Sequence, residues 1–112
     1  MLFHRGAKRF AERLPIEKRG HSIVALQAED HYLSGDFADR QSTLILLRIS
    51  DAIAELPSDN GAQTHRSWWV AQQFIRSVDK LDGRATLTLE NHIQAPVSRT
   101  YFKTLNSTGW FD

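Results

Sequence analysis

The chain has 112 residues, 41% hydrophobic and 24% charged, with a formal net charge of +1, which fits one domain around one core. It has no cysteine, which excludes disulfides and thiolate metal sites and suits a reducing, cytoplasmic setting. The longest aliphatic run, Leu44-Ile45-Leu46-Leu47, falls far short of the ~18 residues that cross a membrane, and charges at Arg5, Lys8, Arg9, Glu12 and Arg13 interrupt any secretory leader.

Residues 1–14 predict a short amphipathic helix, because Phe3, Ala7, Phe10 and Leu14 recur at helical spacing. Pro15 ends it, and Lys18-Arg19-Gly20 makes a polar break. Residues 1–20 hold six Lys/Arg against two Asp/Glu, whereas the other 92 hold eight against eleven. The first twenty residues therefore stand apart as a basic amphipathic arm or linker, and residues 21–112 as the domain proper. A helix this short needs packing or a partner to persist. It reads first as a linker or a segment docked on its own fold, and second as a basic arm touching phosphate.

From His21 the period becomes that of strands. Residues 22–28 predict a strand with Ile23, Val24 and Leu26 inward, and residues 32–37 a second. Residues 43–48 are apolar on both faces, which predicts a strand covered on both sides. Ser50 is the expected cap of a short helix over residues 51–56, and Pro57 with Ser58-Asp59-Asn60-Gly61 a loop. Residues 63–71 predict one aromatic-rich strand, and residues 74–78 another that runs toward a hairpin turn at Asp82-Gly83. Residues 84–90 alternate cleanly, with Ala85, Leu87 and Leu89 on one face. Asn91-His92 turns, residues 93–97 return, and Ser98 caps a last helix that Gly109 stops. Trp110 and Phe111 are expected to fold back. The predicted fold is a mainly antiparallel β domain with two short helices and the N-terminal helical arm.

An arginine stands beside a serine at the edge of an apolar run twice, in His65-Arg66-Ser67-Trp68-Trp69-Val70-Ala71 and in Val97-Ser98-Arg99-Thr100-Tyr101. A guanidinium and a hydroxyl so placed suit an anion, DNA above all. Arg66 fits a bidentate grip on guanine, or else a surface ion pair. Arg99 follows the cap Ser98, where a cation opposes the helix dipole unless an external anion arrives. The plainer reading of Arg99 is a salt bridge to Glu90 or Asp30. His31, at the tip of Glu29-Asp30-His31-Tyr32, can donate to a base edge or phosphate, or simply pair with Asp30. His4, His21, His31, His65 and His92 show no metal-ligand spacing, and no cofactor is expected. No nucleophile elbow, P-loop, dinucleotide fingerprint or zincin motif occurs, so no enzyme is expected.

Taken in order, several segments resemble the LytTR DNA-binding domain of bacterial transcriptional regulators. They are the Ile-rich first strand, Ala28-Glu29-Asp30-His31-Tyr32-Leu33, Leu47-Arg48-Ile49-Ser50, Thr64-His65-Arg66-Ser67-Trp68-Trp69-Val70, Leu89-Glu90-Asn91 and Pro96-Val97-Ser98-Arg99-Thr100-Tyr101. The resemblance spans residues 21–107 and implies a mainly β fold, an elongated stack of small antiparallel β-sheets with two short helices. It also implies a non-enzymatic reader of double-stranded DNA whose loop side chains enter successive major grooves, often at tandem direct repeats. It implies base reading by His31, Arg66 and Arg99, and phosphate contacts by Ser67, Arg48 and Lys103. Three departures stand out: Ala71 where Asn is usual, His92 where Gly is usual, and the acidic pair Glu29 and Asp30 beside His31. Members commonly carry a receiver domain or membrane-embedded sensor, so an excised domain, a stand-alone regulator that self-associates on DNA, or a subunit of a partner protein are all expected forms. The acidic balance of residues 21–112 supports an alternative: a protein-interaction module on the same fold that controls another regulator.

Overall fold

The structure, a computed structural model, describes residues 10–56 and 61–111. The first nine residues of the predicted arm helix and most of the predicted 57–61 loop lie outside that set. Eight strands run β1 (Ile23–Ala28), β2 (Leu33–Phe37), β3 (Ser42–Ile45), β4 (Gly61–His65), β5 (Trp68–Ala71), β6 (Ile75–Leu81), β7 (Arg84–Leu89) and β8 (Gln94–Val97). Two helices, α1 (Ile49–Glu55) and α2 (Arg99–Ser107), complete the set with short 3-10 turns at Ile16–Lys18 and Gln72–Phe74. A five-stranded sheet has the order β3-β2-β1-β5-β4 and a three-stranded sheet the order β6-β7-β8. Every pairing is antiparallel. The principal extents are 41 × 33 × 25 Å.

The larger sheet is apolar on both faces, and each face builds a core. On one face Leu26, Leu33, Phe37, Ile45, Trp69 and Ala71 pack with Ala52 of α1 and with Phe10 and Leu14. On the other, Val24, Ala25, Trp68 and Val70 meet Ala85, Leu87, Leu89, Ala95 and Val97 of the smaller sheet. Helix α2 lays Tyr101, Phe102 and Leu105 against that second core, and Trp110 and Phe111 fold back onto it as expected. Phe111 stacks on Phe102 and meets Trp110 edge-on, both at 5.4 Å between centroids.

Residues 10–12 are helical, and Phe10 and Leu14 are buried in the first core. Arg13 donates two hydrogen bonds to the Glu55 carboxylate at the end of α1. Lys18 is buried and donates to Asp39 and Gln41, at 2.6 Å each, in the β2–β3 connection. The described part of the arm is thus clamped to its own fold by apolar burial and two anchored cations.

Four local expectations are corrected. The apolar third strand is not covered on both sides: Ile45 is buried, but Leu44 and Leu46 are 63% and 84% exposed, and β3 lies at the sheet edge with β2 as its one partner there. Helix α1 begins at Ile49 with Arg48 at its N-cap position, so Ser50 lies inside the first turn and caps nothing. The segment before β6 opens with a 3-10 turn rather than strand. The single strand expected over residues 63–71 is a hairpin, β4 and β5, with Arg66-Ser67 as its turn. That explains why alternation left both Trp68 and Trp69 with a claim to the core. They lie on opposite faces of β5, and each has a core to enter.

Candidate nucleic-acid interface

His31 stands in the loop between β1 and β2, Arg66 and Ser67 in the turn between β4 and β5, and Arg99 in the first turn of α2. Two backbone hydrogen bonds bind these three places together. Ala28, the last residue of β1 before the His31 loop, donates its N–H to the Ser67 carbonyl at 2.7 Å. Ser98, just before Arg99, donates its N–H to the carbonyl of Thr64 at 3.0 Å. The β1–β2 loop, the β4–β5 turn and the start of α2 are therefore neighbours at one end of the sheets, although residue 31 and residue 99 are far apart in sequence.

The Arg66 turn is braced from within. The Ser67 N–H donates to Nδ1 of His65 at 3.0 Å, and the Gln63 side-chain amide donates to the Arg66 carbonyl at 3.3 Å. A hydrogen bond accepted at Nδ1 leaves the neutral imidazole's proton on Nε2, free to donate outward. The β4–β5 register shifts between Gln63 and His65, which gives the hairpin a bulge beside its turn.

His31, Arg66 and Arg99 are all exposed. Among the described residues none of them is in an ion pair: Glu90 takes Arg76 at 2.8 Å rather than Arg99. The salt bridges that composition offered to Arg66 and Arg99, and the Asp30 pairing offered to His31, are absent from the described set. Glu29 is instead drawn to Tyr32, whose hydroxyl donates to it and whose pKa is raised by that hydrogen bond.

Arg48 lies close to His31, since both line a groove between the β1–β2 loop and the start of α1. Lys103 follows Arg99 by four residues on α2, hence on the same helix face, and is exposed. Ser67 is half-buried, with its backbone N–H and carbonyl both engaged within the fold. A second groove, of about 650 Å³, runs from the β4–β5 hairpin to the tip of the β6–β7 hairpin and is lined by His65, Arg84, Ser98 and Arg99. Sequence reasoning weighed His65 only as a metal ligand and passed over Arg84, whose available signal was the Asp82-Gly83 turn that places it at a hairpin tip.

No helix among the described residues is long and apolar enough to cross a membrane. None of the curated proteins compared with the chain matches it. Among solved structures, a LytTr DNA-binding domain of a putative methyl-accepting/DNA response regulator from Bacillus cereus superposes with a TM-score of 0.71 at 20% identity, over 84% of this chain and 83% of that one. That likeness is one of fold. The model of the LytTr DNA-binding domain family matches residues 19–110, which takes in both sheets, both helices and all three exposed tips. With the fold and the sequence pattern pointing to one place, this chain belongs to the LytTr DNA-binding domain family.

Proposed function

We propose that the chain is the sequence-specific double-stranded-DNA-binding domain of a bacterial transcriptional regulator, and that it reads the major groove from loop tips. His31, Arg66 and Arg99 reach base edges. Ser67, Arg48 and Lys103 hold phosphates and fix the register. The observation that carries this reading is the backbone stitching of three loops into one end, with two exposed arginines there that have no carboxylate partner among the described residues. A guanidinium left unpaired at a hairpin tip is poised for a bidentate acceptor, and guanine offers one in the major groove.

A second reading, a protein-interaction module, draws on Leu44 and Leu46, exposed at the open edge of the larger sheet. Selection of genomic DNA fragments on the purified domain at low salt separates the two. The DNA reading expects recovered sites whose affinity falls steeply with added salt as counterions are released. Arg66→Ala and Arg99→Ala should each cost roughly 1–3 kcal/mol of base discrimination while leaving thermal stability unchanged. Recovery of no sequence refutes it, and a large loss of stability with unaltered DNA affinity in these variants would make both arginines structural.

A further inference from the structure

The groove beside Arg99 holds more positive charge than the three reading tips require. Arg84 is the first residue of β7 and sits opposite Leu81 across the hairpin turn. That turn is tight: Asp82 and Gly83 have φ of 54° and 75°, the paired positive values that match the twist of a two-residue hairpin. The turn reaches the start of α2, because a side chain at Gly83 would lie 3.6 Å from a terminal nitrogen of Arg99. Arg84, Arg99, His65 and Ser98 thus face one groove, contributed by three separate segments of chain. Neither arginine is ion-paired among the described residues, and Ser98 spends no side-chain hydrogen bond on capping α2. The exposed Asp79 also lines the groove and is outnumbered by its cations.

We propose that this groove seats one backbone phosphate of the bound duplex, with Arg84 as its principal ligand, and that the β6–β7 hairpin tip is a fourth point of DNA contact. The inference rests on the DNA-binding reading above. Arg84 and His65, which both line the groove, donate to the phosphate oxygens. The phosphate also lies near the first turn of α2, whose unpaired N–H groups and dipole favour an anion. The cation at Arg99 is then offset where it would otherwise oppose the helix. A phosphate held here fixes how deeply Arg99 enters the neighbouring groove, while Arg84 itself reads no base.

The test uses the selected duplex and an unrelated duplex of equal length, each titrated over a series of salt concentrations. Arg84→Ala should weaken both duplexes by a similar factor of about ten, the size of one charge-assisted hydrogen bond. It should also lower the salt slope by about one. Asp79→Asn should tighten both. Arg99→Ala should differ in kind, erasing the preference between the two duplexes. Either groove variant matching the wild type overturns the phosphate seat, as does an Arg84→Ala loss confined to the selected duplex. If the wild-type domain retains neither duplex, the DNA reading itself fails and the seat falls with it.

Discussion

His92 holds a backbone conformation that its side chain resists. Its φ is 62°, directly after Asn91 at 76°, in the turn between β7 and β8. Asn tolerates the left-handed region because its short amide bonds locally, and Asn91 does so while donating to the Phe37 carbonyl at 3.1 Å. His92 is exposed, and no hydrogen bond from its imidazole is seen among the described residues. Left-handed geometry costs a non-glycine residue about 1–2 kcal/mol, and part of the gain from glycine is offset by its freedom in the unfolded chain. His92→Gly is therefore expected to stabilise the domain by roughly 0.5–1 kcal/mol, seen as a higher urea midpoint at constant slope. A midpoint that stays put or falls would mean that the imidazole repays its strain through contacts. Arg66 makes the contrasting case. Neither it nor Ser67 has a positive φ, so their turn carries no Gly or Asn to announce it in the sequence.

That silence explains which elements could be read in advance. Strand β7 was legible because buried and exposed residues alternate along it, and its hairpin because Asp82-Gly83 supplies the demanded dihedrals. The β4–β5 hairpin was illegible as two strands, since its Arg66-Ser67 turn holds no Gly, Pro or Asn to divide residues 63–71. Strand β3 misled in the opposite sense: its continuous apolar run suggested coverage, yet Leu44 faces solvent at the sheet edge. Of the candidate site, the residue types were on view in the sequence, whereas the hydrogen bonds that make the loops neighbours, Ala28–Ser67 and Ser98–Thr64, join distant segments and leave no local signal. The β2–β3 connection adds a pH dependence at this scale. The Asp39 carboxyl is held below the usual carboxylate range chiefly by the hydrogen bond from Lys18, with Gln41 N–H and His21 nearby adding to it. A lowered folded pKa gives stability that is present above the ordinary value near 4 and is lost as pH falls through the folded one. Asp39→Asn should lower the melting temperature at pH 7, and lower it by less in acid below that ordinary value. Asp36 moves oppositely, raised by burial, but it is common to both proteins and cancels in the difference. A gap that is the same at both pH values would show that Asp39 acts through shape rather than charge.

Across the whole molecule, the larger sheet separates two jobs. Its second core holds the smaller sheet and α2, and so positions Arg99 and the β6–β7 tip. Its first core is closed by α1 and by Phe10 and Leu14, which lie before the first residue matched by the family model. The proposed DNA-contacting end is built from loops that the second core and the inter-loop hydrogen bonds support, so the arm should bear on stability more than on recognition. Phe10 is 2% exposed among Leu26, Leu33, Phe37 and Trp69, and truncating a buried Phe costs about 3–5 kcal/mol, a large share of what holds a domain of this size together. Phe10→Ala should therefore lower the unfolding free energy by that order. The fraction still folded at low temperature should bind the selected duplex with wild-type preference, measured by anisotropy with the folded fraction taken from circular dichroism. A chain trimmed to residues 19–112 should lose comparable stability and keep the same preference. If trimming leaves stability intact, the arm is only a tether laid across the sheet. If it leaves stability intact and lowers affinity instead, the basic arm reaches the phosphates directly, and the division of labour between the two faces of the sheet is wrong.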